Sequence, residues 1–354
     1  MEIYVLSGPS TVEGMVEVYL SVIWTLQFFG PGDFELRLPG TSGNVQLLKK
    51  GRMLVRAPDI IADGVYKNVM LIENIEIVYD AESGYVMTVS GGSIKRLLYR
   101  RIVWAQTNLT GTVETGIRQV ITENVISPSN ADRTMTGFTL AASHGYLDTF
   151  EVQLFGENIG EWMEEACQTY GYGWDVFISA GNFVFDLVRG TDRTYDQADV
   201  VPVVFSPQYD NLVESSYRYE TAEYSNAALI GGEGEGTSQR TASIGTATGY
   251  DRYESYIDGD SVSSNGEIIT VEQYTAMLEA YGREQLSQTA FTEQIEGETI
   301  SDGMYVFNAD YFLGDLVQID TGFVSAKSRI VEMIYAEDEK GSTLLPTFSN
   351  WEGN

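Results

Sequence analysis

Between Met70 and Trp104 the apolar positions change their period midway, and this change makes the stretch the most informative in the chain. Ile75, Ile77 and Tyr79 alternate with Asn74, Glu76 and Val78, the two-residue period of a strand with one buried face. Asp80 to Gly84 supplies turn chemistry, and Tyr85 to Ser90 reads as the returning strand of a hairpin. After Gly91 and Gly92 the period lengthens. Ser93 is placed to cap a short helix in which Ile94, Leu97, Leu98 and Ile102 share a face while Lys95, Arg96 and Arg100 point elsewhere.

The same reading extends along the chain. Val22, Trp24, Leu26 and Phe28 alternate with Ile23, Thr25 and Gln27; Gly30 to Gly32 turns, and Phe34, Leu36 and Leu38 answer between Asp33, Glu35 and Arg37. With a short strand at Gly51–Arg56, residues 1–105 are expected to form a β-barrel or sandwich of about six strands carrying one helix. From Gln106 the pattern turns mixed. Val113, Ile117, Val120 and Ile121 fit one helical face, and Ile159, Trp162, Met163, Ala166, Cys167 and Tyr170 fit another that ends at Gly171. Trp174–Ile178 and Phe183–Val188 predict a hairpin around Ala180 to Asn182.

Beyond Pro202 strands are expected at Val213–Glu220, Ser225–Ile230, Tyr305–Leu313, Asp315–Asp320 and Ser328–Tyr335. Tyr250–Gly266 reads as a polar excursion, and Val271–Gln288 as a helix with Tyr274, Met277, Leu278 and Tyr281 inward. The expected plan is β-rich α+β. Residues 1–105 make one barrel, 106–202 a mixed α+β domain, 203–240 with 300–349 a second barrel, and 241–299 an insertion with a loop and a helix. Two strand-rich segments, each with a helix, give the outline of a loose duplication.

Charge sharpens this picture. The 354 residues carry a net charge of -30 with 51 acidic and 21 basic side chains, yet Lys95, Arg96, Arg100 and Arg101 crowd into seven positions. Such a field repels nucleic acid, so stable nucleic-acid binding is not expected. The abundance of aromatics, 22 Tyr, 15 Phe and 5 Trp, favours strands with large contact surfaces. No secretory signal is visible at the start, and the best uncharged window, Val18 to Pro31, falls short of the roughly 20 residues that cross a bilayer. A soluble protein made in a cytoplasm is the expectation.

Chemistry is sparse. One cysteine, Cys167, and one histidine, His144, exclude multi-cysteine and most histidine metal sites. His144 lacks a GxSxG elbow, and Cys167 on an apolar helix face reads as core. The runs Gly231–Gly236 and Gly171–Gly173 match no phosphate-binding fingerprint. Asp258, Asp260, Asn265 and Glu267 miss the calcium-loop spacing, so a polar loop is the better reading. No cofactor, metal or catalytic residue is expected. A carboxylate pair beside a sugar-stacking aromatic would suffice for glycoside hydrolysis, but 51 carboxylates give no means of choosing one. Lys95, Arg96, Arg100 and Arg101 could bind phosphate, but arginines in an acidic protein more often pair with carboxylates of their own chain or of a neighbour; the neighbour is the favoured reading, which makes these four the expected partner interface.

Ser21–Thr25 (SVIWT), Gly32–Leu36 (GDFEL), the hairpin and helix ending in Tyr99–Trp104 (YRRIVW), and Leu313–Ile319 (LGDLVQI) together resemble the siphophage tail-tip, or baseplate, hub family, the Gp37-like hub region of tail-associated proteins. The first 135 residues carry the strongest match. The resemblance implies a structural protein and no enzyme: a homotrimer in which each chain gives two tube-type β-barrels to a pseudo-sixfold ring at the virion tail tip, assembled in the host cytoplasm. It also implies partners, namely a distal tail protein, a tape-measure protein and receptor-binding or spike proteins, with transient passage of DNA during ejection. The alternative is a virion glycan-binding or glycoside-cleaving protein.

Overall fold

The computed structural model describes residues 1–350 apart from 63, 82–83, 213, 221–223, 265–268, 290–291, 299–303 and 324. Positions 82 and 83 of the expected hairpin turn, 213 of the expected strand, and Asn265 and Glu267 therefore lie outside the described residues. The molecule is β-rich. Its main sheet has 14 strands, and the path through it runs Glu214–Glu220, Thr292–Glu298, Gly341–Asn350, Ser325–Asp338, Ser21–Gln27, Asp33–Pro39, Gly84–Ser93, Met70–Asp80, Met53–Arg56, Ile3–Gly8 and Thr11–Val16. Leu316–Asp320 joins beside Ser325–Asp338 and in turn pairs with Asp192–Arg193 and Val204–Phe205. No sheet closes on itself among the described strands.

One long strand joins the two halves of the chain. Ser325–Arg329 pair with Leu316–Asp320, whereas Glu332–Asp338 pair with Ser21–Gln27. The register against Gly341–Asn350 slips between Ile330 and Glu332, where the partner changes. A bulge bends a strand and raises its twist, which lets one strand serve two neighbours. Phe28 donates its N–H to the Val331 carbonyl at 2.9 Å at this bend. The N-terminus adds a second tie, since the Met1 ammonium meets Glu337 at 3.1 Å.

Alternation places the core. Trp24, Leu26, Phe34, Leu36, Met87 and Val89 from the first half share one hydrophobic cluster with Phe205, Val317, Ile319, Ile330, Met333 and Phe348 from the second. The opposite face of Met53–Arg56 and Met70–Ile72 gives Met53, Val55 and Leu71 to another cluster, with Ile94, Leu98 and the helices of the mixed region. These strands are walls between two cores, so all four residues of Met53–Arg56 are buried.

The helices follow their sequence signals. Val113–Ile121 is capped by Thr112 and continues into a π-turn, Thr122–Ile126. Ile159–Tyr170 is capped by Asn158 and ends at Gly171, whose φ of 68° suits glycine. Val271–Gln288 opens with a Thr270–Gln273 capping box. Gly173–Ser179 and Asn182–Val188 form the expected hairpin through Ala180 and Gly181, both at positive φ.

Four local expectations change. The segment after Ser93 is a 3₁₀ helix, Ile94–Arg100, and Ser93 sits at its cap without a side-chain cap bond. The stretch expected to be a strand at Tyr305–Leu313 is a compact turn with one Phe307–Tyr311 bridge, because Asp310 accepts from the Val306 N–H and folds the chain back. The polar excursion contains a strand, Glu254–Asp258, parallel to Ala227–Gly231. Ala227–Gly231 thus pairs with Thr241–Ile244 and Glu254–Asp258 in a separate sheet, while Thr292–Glu298 pairs in the main one. The small sheet covers its apolar face, Ala228, Ile230 and Ala242, with Tyr274, Met277 and Leu278 of the long helix.

Candidate assembly surface

The four basic residues after the hairpin do not form one patch. Lys95 is only 6% exposed; its ammonium donates to the carbonyls of Gln27 at 2.8 Å and Gly30 at 2.9 Å, and lies 4.9 Å from the centre of the Trp174 ring. Burial lowers its pKa to about 8 against the opposing pull of Asp175, Cys167 and Glu164. Lys95 therefore leaves the expected interface, because the turn Gln27–Gly30 presents carbonyls that need a donor and a 3₁₀ helix points position 95 at them. It lines a cavity of about 510 Å³ with Phe28, Val69, Lys67 and Phe312.

Arg96 and Arg100 converge on one carboxylate. Glu73 accepts from Arg96 at 3.0 Å and from Arg100 at 3.3 Å, on a surface where both arginines are more than a third exposed. Glu73 sits at the Ile72/Asn74 register slip, and the bulge aims its side chain at the helix. Arg101 turns away. Its guanidinium donates to the carbonyls of Arg133 and Arg100, and Arg133 donates to the Ile102 carbonyl at 2.7 Å while stacking 4.8 Å from the Trp104 ring centre. Arg133 and Glu73 are the residues that the basic run alone does not reveal. Arg133 is 32 positions away in sequence and arrives through the turn at Asn130, so spacing carries no signal for it.

Beyond Glu73 the hairpin projects from the core. Ile75, Ile77, Val78, Tyr79 and Tyr85 are exposed, and the Tyr79 and Tyr85 rings pair across the tip at 4.9 Å. Among the described strands, Gly84–Ser93 is the one that pairs with this part of Met70–Asp80, along one of its two edges.

The remaining candidates resolve as structure. The His144 ring bonds Asp186 at 2.9 Å and stacks on Tyr146, and the N–H groups of His144, Gly145 and Tyr146 donate to Glu114. Burial pushes the Glu114 carboxyl up, but these bonds outweigh it and hold the group below the usual range. Glu114 fastens this loop to the start of its helix, a clasp for which an acid in a first turn is the only sequence sign. Cys167 is fully buried, and burial pushes its thiol up to about 12 despite the nearby Lys95, which suits core rather than nucleophile. Gly231 and Gly232 lie under Tyr256 and Tyr274, where a Cβ has no room, so the glycine-rich loop is packed against the long helix rather than shaped for phosphate. Glu284 faces Glu165 and Glu157 between two helices; burial first, then these carboxylates, raises it to about 8. Among the described residues no group of three or more ligating side chains could hold a metal, and no helix is long and apolar enough to cross a membrane.

The arrangement is one of surfaces and ties, and the fold that carries it is shared by known structures. The chain is similar to the 43 kDa tail protein of prophage MuSo2 from Shewanella oneidensis, with a TM-score of 0.60 at 14% identity over 98% of both chains. It is also similar to a tail protein from Neisseria meningitidis MC58 (TM-score 0.58, 12% identity, 98% of this chain and 96% of that one). Prophage tail protein gp18 from Listeria monocytogenes EGD-e gives a TM-score of 0.57 at 13% identity over 100% and 96%. No curated protein matches. The fold is thus that of phage tail proteins. Residues 2–349 match the model of the Siphovirus ReqiPepy6 Gp37-like protein family, and with nearly its whole length inside that match the chain belongs to this family.

Proposed function

We propose that the protein is a structural tail-tip hub: three copies form a ring that continues the tail tube, dock neighbouring tail proteins and frame part of the channel for DNA ejection. The observation that carries this reading is the junction at Ser325–Asp338. Two strand-rich halves of one chain share a core and a continuous sheet, so each copy offers two linked wall segments in place of one. Three such copies give six segments around an axis, in keeping with a sixfold tube. In this arrangement residues 1–105 form one wall segment and 203–240 with 300–349 the core of the other, while the mixed region 106–202 and the excursion pack outside. A distal tail protein sits above, a tape-measure protein enters the lumen, and receptor-binding or spike proteins attach near the tip.

The charge of -30 fits a channel that DNA crosses without sticking, because carboxylates repel phosphates over a Debye length of about 8 Å at physiological salt. Native mass measurement combined with averaged images of the purified chain tests the reading. Three copies around an open or plugged axis are expected. A monomer that hydrolyses cell-wall glycan, losing activity on removal of one carboxylate pair, would overturn it in favour of the enzyme.

A further inference from the structure

We infer that Arg101, Arg133 and Trp104 form a receptor corner for a carboxylate-bearing segment of a second copy of this chain. The inference rests on the ring reading and names one of its contacts. The corner is a cleft of about 230 Å³ lined by Arg100, Arg101, Ile102, Trp104, Asn130, Asp132 and Arg133, three cations against one carboxylate. Trp104 is 57% exposed, and Ile102 beside it is also open.

The electrostatics set this corner apart from its neighbours. Arg96 and Arg100 share Glu73. Among the described residues Arg101 and Arg133 form no ion pair, Asp132 included; their guanidinium groups are held by backbone carbonyls and Asn124. Carbonyls orient an arginine without neutralising it, so two fixed positive charges stand together. Burial, then repulsion by Arg101, pushes the Arg133 guanidinium down, the sign of a charge that gains from an anion. A planar guanidinium matches a carboxylate through two parallel hydrogen bonds, and the exposed indole offers an apolar face next to it. Trp and Arg are also the residues that most often dominate interfaces.

The occupant follows from charge. The corner is a positive island on a chain with 51 acidic and 21 basic side chains, so a second copy presents carboxylates on most of its surface. A nucleic-acid strand is disfavoured, since the summed negative field opposes a continuous polyanion while a protein contact needs one or two carboxylates only. Fixing such a contact also offsets part of the repulsion among copies that are each strongly acidic.

The test compares the intact chain with R101E and W104A by native mass measurement at physiological and raised salt, with circular dichroism to confirm folding. The wild type is expected as a trimer; R101E should dissociate at concentrations about tenfold higher or more, W104A should weaken the trimer less, and raised salt should narrow the difference. A folded R101E that stays as trimeric as wild type overturns the inference and leaves the ring reading standing, whereas a monomeric wild type overturns both. Retention of the trimer with loss of binding to a short DNA duplex would assign the corner to phosphate and likewise overturn it. A second experiment does not depend on dissociation. Carbodiimide treatment of R101K, in a mixture of isotopically light and heavy chains, should join position 101 to an Asp or Glu of another copy. Cross-links confined to a single copy contradict the inference.

Discussion

The strand Met70–Asp80 is one element, apolar at every position of its base and alternating toward its tip, and its two ends lie in different surroundings. At the base, Met70, Leu71 and Ile72 are buried on both faces, because Met53–Arg56 pairs on one edge, a core lies above and the 3₁₀ helix lies below. At the tip, Ile77 is 44% exposed and Tyr79 64%, with one paired edge and no covering layer among the described residues. Alternation decides which face a residue joins. It does not decide whether anything covers that face. In a protein that assembles, the uncovered apolar positions are where the monomer stops being a complete account of its own sequence.

Changes at the base should break the fold and changes at the tip should spare it. The largest effect is expected at Gly91, opposite the register slip, where an added Cβ would collide with the Leu71 carbonyl oxygen and the Glu73 nitrogen. Backbone cannot yield as a side-chain end does, so G91A should cost roughly 3–5 kcal/mol in denaturant titration. A cost under about 1 kcal/mol would show that the hairpin base is adaptable. Next is K95M, which leaves the carbonyls of Gln27 and Gly30 without their donor and should cost roughly 2–4 kcal/mol at neutral pH. Its pH dependence has a definite sign. The folded ammonium titrates near 8, below ordinary lysine, so from about 8 upward the unfolded state holds more protons and the wild type gains stability, a gain that K95M should lack.

Glu284 gives the opposite slope and a smaller effect. Its folded carboxyl titrates near 8, above its ordinary value, so the folded state keeps a proton that the unfolded state has lost and stability falls as pH rises from about 4.5 to 8. E284Q should therefore melt with the wild type near pH 5 and above it near pH 8, a difference on the order of 1 kcal/mol or more. Identical melting at both values would mean that burial and the neighbouring Glu165 and Glu157 do not hold the Glu284 carboxyl above its ordinary range. The smallest effect belongs to the tip: I77T should change stability by about 0.5 kcal/mol or less, and a loss comparable to that at Gly91 would erase the contrast between base and tip.

Much of the fold was legible where local chemistry suffices. Asn158 and Gly171 bracket a helix, Ala180 and Gly181 make a hairpin turn, and the Ser21–Gln27 and Asp33–Pro39 strands alternate cleanly. Legibility fails where a residue's surroundings come from far along the chain. Tyr305–Leu313 has strand composition, but among the described residues it makes one bridge only, and Asp310 folds it back. Ala227–Gly231 has strand composition too, yet its partners are Thr241–Ile244 and a strand of the polar excursion that is too hydrophilic to announce itself. The candidate surface was legible as a basic run and illegible as a geometry. Four neighbouring cations divide among carbonyls within the chain, one shared glutamate, and a corner completed by Arg133, and apart from the Arg100 carbonyl none of these partners is near in sequence.

The account depends most on how many copies stand around one axis. Single-particle images of the purified chain, averaged without imposed symmetry, measure this directly. The account predicts three copies around one axis, each contributing two sheet segments that are linked within the chain where Ser21–Gln27 pairs with Glu332–Asp338. A particle holding one copy, or several arranged without a common axis, would contradict it.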